Sequence, residues 1–127
     1  MSAAGGRRPC KLLVVEDDLD VRESLRDVLT DAGYQVVCAE EGGRALTLMA
    51  EEAPPAAILL DLTMPGMDGH QFLAELRRRP GGRAVPVLVL TAQSTVFEVR
   101  VPDAAAVVRK PIDLDQLLAL VSTVTGG

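Results

Sequence analysis

Ile58-Leu59-Leu60-Asp61-Leu62-Thr63-Met64-Pro65-Gly66-Met67-Asp68-Gly69 is the stretch whose reading decides the fold of this chain. Three aliphatic residues in a row mark the end of a buried strand. A single carboxylate, Asp61, follows at once. A turn rich in Pro and Gly comes next, built from residues of special backbone conformation. A charge placed where a buried strand emerges costs free energy unless something stabilises it, which makes it a candidate functional group. The plainer alternative is a strand that ends in an Asp-capped loop, because an apolar run followed by Asp is a weak signal by itself.

The rest of the chain repeats one pattern around this stretch. Upstream, Lys11-Leu12-Leu13-Val14-Val15 reads as a first strand, with Glu16-Asp17-Asp18 directly after it. A helix follows, with Leu19, Val21, Leu25, Val28, Leu29 and Ala32 at helical spacing and Gly33 as its C-terminal cap. Gln35-Val36-Val37-Cys38-Ala39 is a second strand. Gly42-Gly43 open a second helix, with Ala45, Leu46, Met49, Ala50 and Ala53 on its apolar face, and Pro54-Pro55 stop it. The third strand covers residues 56–60. Downstream, a helix over about 70–79 buries Phe72, Leu73 and Leu76 and closes on Arg77-Arg78-Arg79, which suits a solvated helix C-terminus or a contact patch. Residues 85–90 form a fourth strand with Thr91 at its end. Residues 92–104 carry little pattern; 96–101 allow a helix of barely two turns before Pro102. Residues 105–108 form a fifth strand, followed by Arg109-Lys110-Pro111. The last helix has Asp113 at its N-cap, Gln116 three residues on, and Leu114, Leu117, Leu118 and Val121 on its core face. Residues 1–10 read as a flexible tail, 11–124 as one domain, and 125–127 as a trailing end.

Strands alternating with helices imply a doubly wound α/β fold, with parallel strands, right-handed crossovers and helices on both faces. At 127 residues there is room for one core. Aromatic residues make up 2% of the chain, so Leu, Val, Ala and Ile must fill that core. A net charge of −5 without a basic stripe argues against direct nucleic-acid binding. No apolar run approaches the ~20 residues of a membrane span, and the N-terminus has no signal-peptide pattern. Cys10 and Cys38 match no zinc spacing and form no disulfide framework, which favours a reducing, cytoplasmic setting.

In an open parallel sheet, ligands sit beyond the carboxyl ends of the strands. Glu16-Asp17, Asp61, Thr91 and Arg109-Lys110-Pro111 all fall at such ends. Clustered carboxylates repel unless a cation joins them, and an all-oxygen set selects a hard one, Mg²⁺ or Mn²⁺. A carboxylate nucleophile, a divalent cation, the Lys110 ammonium and the Thr91 hydroxyl together fit transfer of a phosphoryl group onto Asp61.

Val14-Val15-Glu16-Asp17-Asp18, the stretch from Asp61 to Gly69, Leu90-Thr91-Ala92 and Lys110-Pro111 resemble the receiver domain of two-component response regulators, the CheY-like superfamily, over nearly the whole chain. The resemblance implies a five-stranded parallel sheet in the order 2-1-3-4-5. It implies that Asp61 is the phosphoacceptor, that Asp17 and Asp61 bind Mg²⁺ directly, that Glu16 acts through water, and that the backbone carbonyl of Thr63 is a further ligand. Thr91 would be the switch hydroxyl. Lys110 would pair with the phosphoryl group, across a cis Lys110–Pro111 bond. Thr63 and Gln93 would flank the site where the lifetime of the phosphoryl group is tuned. The phosphodonor would be a histidine kinase or a histidine phosphotransfer protein. The expected output is phosphorylation-dependent binding of another protein, by a monomer or weak dimer in a single-domain regulator that catalyses only its own phosphorylation and dephosphorylation.

Two features depart from that pattern. Val107 stands where family members commonly carry an aromatic residue that moves with the Thr. The segment between Thr91 and Lys110 is shorter than usual and contains Pro102, so the helix between strands four and five is expected to be short or irregular. These departures keep open a receiver-like scaffold that acts by protein binding without phosphorylation. Two other readings, one an enzyme and one a nucleotide-binding protein, fit less well. A haloacid-dehalogenase-type phosphohydrolase needs a carboxylate where Thr63 stands. A nucleotide-binding protein needs a Gly-rich loop where Glu16-Asp17-Asp18 stands. His70, at a helix start, reads as a surface histidine, Cys38 as a small core residue, and Met64 and Met67 as loop packing.

Overall fold

A computed structural model describes residues 10–62, 69–92 and 104–126. Residues 1–9, 63–68, 93–103 and 127 lie outside these. Outside them too fall the helix expected at 96–101, Thr63, Met64, Met67 and Gln93.

Five strands, β1 (Lys11–Val15), β2 (Gln35–Ala39), β3 (Ala57–Asp61), β4 (Val87–Thr91) and β5 (Ala106–Arg109), form one parallel sheet in the order β2-β1-β3-β4-β5. Four α-helices are present among the described residues: α1 (Leu19–Asp31), α2 (Gly42–Glu51), α3 (Gly69–Arg78) and α4 (Leu114–Thr125). Successive strand side chains point to opposite faces, and every second residue of the central strands enters a different core. Leu13, Val15, Ile58, Leu60, Val87 and Val89 pack with Phe72 and Leu76 of α3 and Ala45 and Leu46 of α2. Leu12, Val14, Leu59, Leu88 and Leu90 pack with Leu25 and Leu29 of α1 and Leu117 and Val121 of α4. β3 and β4 are buried at all of their residues. That explains their unbroken apolar runs, since a strand covered on both faces has no polar side to alternate.

Helix starts are fixed by side-chain caps. Asp18 accepts from the Val21 amide at 3.1 Å, Glu41 from Arg44 at 2.7 Å, and Asp113 from Gln116 at 3.1 Å, each satisfying an otherwise unpaired N–H of the first turn. The cap of α1 at its far end is Ala32. Gly33 is the residue beyond it, at φ +100, a left-handed conformation that the missing Cβ permits. α4 has Gly126 itself as its left-handed C-cap, and it retains Thr125, one residue more than its composition suggested.

Other boundaries shift for local reasons. α2 ends at Glu51 with Glu52 extended, two residues ahead of Pro54-Pro55, which cannot continue a helix; Ala50 and Ala53, expected on its apolar face, are exposed. Leu19 and Leu114, expected in helix cores, are 55% and 38% exposed, and Ala32 is exposed as well. β4 starts at Val87 because Pro86 has no N–H for the ladder, although its carbonyl accepts from Ile58 at 3.0 Å. Of the basic triplet, Arg78 pairs on the surface with Glu75. Arg77 instead folds back, donating to the carbonyls of Gly82 at 2.6 Å and Val85 at 2.8 Å. Among the described residues no helix is long and apolar enough to cross a membrane.

Candidate functional site

Asp61 is the last rung of β3, in register with Leu90. Thr91 is the last residue of β4 and lies opposite Arg109 of β5. The polar residues at the strand ends are therefore held by the sheet itself, and hydrogen bonds carry the ladder past them. Glu16 N–H donates to Ala39 O at 3.0 Å, Leu62 N–H to Leu90 O at 3.1 Å, and Lys110 N–H to Thr91 O at 2.7 Å. The Lys110–Pro111 peptide bond is cis.

Three carboxylates meet at this edge. Glu16 is fully buried, Asp61 is 4% exposed and Asp17 is exposed. Each offers an oxygen within 4.8 Å of the other two. Lys110 Nζ lies 2.9 Å from Glu16 Oε1 and 3.7 Å from Asp61 Oδ2. Burial pushes the Glu16 carboxyl up to about 7, against the lowering effect of the Lys110 hydrogen bond and with a further rise from Asp61. Burial alone would lower Lys110, but the hydrogen bond to Glu16 and the charges of Glu16, Asp61 and Asp17 hold its ammonium above its ordinary value. A proton and one ammonium offset the repulsion among three acids only in part.

The oxygen set suits a small hard cation. Ligands at ~2.0–2.1 Å from Mg²⁺ in an octahedron lie roughly 3–4 Å from one another. Three oxygens that all lie within 4.8 Å of one another fall in the range that such a cation can draw together. Both Glu16 oxygens already accept hydrogen bonds, Oε1 from Lys110 at 2.9 Å and Oε2 from the Asp18 amide at 3.2 Å.

Thr91 is buried at 1% exposure. Val107 is half-buried and packs against the α2–α3 core. His70 is exposed at the second position of α3. Cys38 is half-buried in β2 beside the α1–α4 core.

Two residues that sequence reading did not single out complete the geometry. Gly69 N–H donates to Leu62 O at 2.9 Å, and a Cβ there would stand 2.6 Å from Leu62 Cα and 2.9 Å from Asp61 O. Arg22 of α1 donates from Nη1 to Glu16 O at 2.9 Å and to Asp17 O at 3.4 Å. Gly69 reads in the sequence as the end of a turn, and its close approach to Asp61 leaves no trace in the residue pattern. An arginine bonded to backbone carbonyls leaves none either.

Residues 12–122 match the family model described as the response regulator receiver domain. Response regulator MprA of Mycolicibacterium vanbaalenii is 45% identical over 114 residues, covering 87% of this chain and 48% of that protein. The chain thus spans about half the length of the curated relatives it matches. Among solved structures, the chemotaxis response regulator CheY4 of Vibrio cholerae is 29% identical, with a TM-score of 0.82, over 91% of this chain and 98% of that one. The receiver domain of the Pseudomonas aeruginosa sensor histidine kinase PA1611, which has a magnesium ion coordinated in its active-site cleft, is 26% identical, with a TM-score of 0.83, over 94% and 99%. Strand order, the acidic cluster at the carboxyl edge and the extent of this match agree, and the chain belongs to the response regulator receiver domain family.

Proposed function

We propose that Asp61 accepts a phosphoryl group from a histidine kinase or histidine phosphotransfer protein, and that the phosphorylated chain signals by altered binding to another protein in the cytoplasm. The observation that carries this reading is a buried carboxylate at the end of the central strand, 3.7 Å from a lysine ammonium and beside two further acids. One Asp61 oxygen attacks the phosphorus of the donor. The P–N bond to the histidine breaks, its electron pair stays on the imidazole nitrogen, and an acyl phosphate forms on Asp61. Lys110 pairs with the phosphoryl oxygens; its ammonium 3.7 Å from Asp61 Oδ2 supports this role. The Thr91 hydroxyl can donate to them and so report the modified state. Attack of water on the same phosphorus returns Asp61 and inorganic phosphate.

Asp17, Asp61 and the Thr63 carbonyl would hold Mg²⁺ directly, with Glu16 acting through water; Mn²⁺ fits the same oxygen set. When bound, the cation supplies charge stabilisation to the phosphoryl oxygens. The reading is tested by intact mass after incubation with acetyl phosphate, with and without Mg²⁺, for wild type and Asp61→Asn. We expect a Mg²⁺-dependent gain of one phosphoryl group in wild type and none in the variant. A wild type that binds Mg²⁺ but gains no mass, even with kinases present, would transfer the reading to the non-phosphorylated scaffold.

A further inference from the structure

Asp17 differs from its two acidic neighbours in how it is held. Glu16 and Asp61 are buried, so packing fixes their side chains. Asp17 is exposed, and packing does little to aim it. Its direction depends on the backbone of the β1–α1 turn, where three acids repel one another.

The Arg22 guanidinium spans that turn from one helical turn into α1. It donates to the carbonyls of Glu16 and Asp17. These carbonyls belong to the two peptide units that flank the Asp17 Cα, so one guanidinium nitrogen engages both, closely at Glu16 and more loosely at Asp17, and biases the direction of the Cα–Cβ bond. Two further bonds tie the same turn. Asp18 N–H donates to Glu16 Oε2 at 3.2 Å, and Arg22 N–H to Asp18 O at 2.9 Å. A bond to a charged donor is about twice as strong as one between neutral groups.

We infer that Arg22 is a positioning residue for the cation ligands, acting on Asp17 and Glu16 through their backbone carbonyls and touching neither the cation nor the phosphoryl group. This deepens the Mg²⁺ reading of the site and rests on it. Two physical effects of Arg22 oppose each other, and the sign of the result separates them. As a bare positive charge near the site, Arg22 repels Mg²⁺, and its loss would tighten binding. As a brace, it holds Asp17 in the geometry that an octahedral cation demands, and its loss loosens binding. Partners that orient metal ligands from behind are typically worth 10–100-fold in affinity.

The test is Mg²⁺ binding by calorimetry and Mn²⁺ binding by electron paramagnetic resonance on wild type, Arg22→Ala, Arg22→Lys and Arg26→Ala. Melting temperatures without metal are measured alongside. Arg26 is a cation of the same helix outside the turn and controls for charge. We expect Arg22→Ala to weaken both ions by about tenfold, Arg22→Lys to recover part of that loss, and Arg26→Ala to match wild type. Should Arg22→Ala fail to fold, the same comparison is made between Arg22→Lys and wild type, where a several-fold weakening is expected. A lower melting temperature with unchanged or tighter metal binding would overturn the inference and leave Arg22 a structural residue. A wild type that binds neither ion would sink the cation reading itself, and the inference with it.

Discussion

Glu16 is a buried acid with a lysine on one side and a second acid on the other, and this sets the pH behaviour of the site. Burial, the first cause, pushes its carboxyl up from 4.5 to about 7 in the fold. An acid whose folded pKa is raised binds its proton more tightly in the native state. The native state is therefore penalised progressively as pH rises from the ordinary Glu range to about 7, and fully above it. Without divalent cations, wild type should gain stability relative to Glu16→Gln as pH falls from about 8 to about 5. Urea denaturation of both proteins across that range checks this, and a pH-independent difference would contradict it. Lys110, raised by its acidic partners, stays charged throughout that window. At the same scale, sequence reading found Asp61 and Thr91 because each directly follows an apolar run, and Lys110 because it stands one residue beyond another, before a proline. It passed over Arg22, whose bonds run to carbonyls, which every residue possesses.

Strand ends show why element boundaries were harder to read than the elements themselves. Hydrophobicity ends β3 at Leu60, β4 at Leu90 and β5 at Val108, whereas the ladder runs one residue further in each, through Asp61, Thr91 and Arg109. Apolar character reports burial, but strand length is set by backbone pairing, and at a functional edge the two part company. The result is that site residues stand on rigid elements, which favours precise placement. At the next boundary, Gly69 begins α3 with its Cα pressed against the backbone that leaves β3. A methyl group there meets backbone, which has no cheap way to yield. Gly69→Ala should therefore lose about 1–3 kcal/mol of stability and displace Asp61 enough to weaken Mg²⁺ binding. Denaturation and calorimetry on the one variant read both effects, and wild-type values in both would refute the close-packing account.

Across the whole molecule, doubly wound architecture was legible because one strand–helix period repeats along the chain and its central strands are apolar on both faces. Helix faces were less legible. Leu19 and Leu114 lie at helical spacing, yet each falls in the first turn of its helix, where the chain is still leaving the sheet edge, and both are exposed. The two cores are separated only by the sheet, so neighbouring residues of β3 serve different layers: Ile58 the α2–α3 side and Leu59 the α1–α4 side. Ile58→Ala and Leu59→Ala should each cost about 2–5 kcal/mol, read by urea denaturation. A near-neutral result for either would mean that its layer is loosely packed.

The strand order β2-β1-β3-β4-β5 also distributes rigidity across the site. Asp61 ends the middle strand, which has a hydrogen-bonded neighbour on each side, while Lys110 follows β5, which is paired on one side alone. The Asp61 carboxylate and the Lys110 ammonium thus have unequal freedom. In hydrogen–deuterium exchange, the amides of Leu59 and Leu60 should be among the slowest in the chain, and those of Val107 and Val108 should exchange well before them. Charge added at Asp61 would meet an anchored carboxylate and a yielding cation, so the mechanical response to modification would begin at the rim of the sheet while its centre stands still.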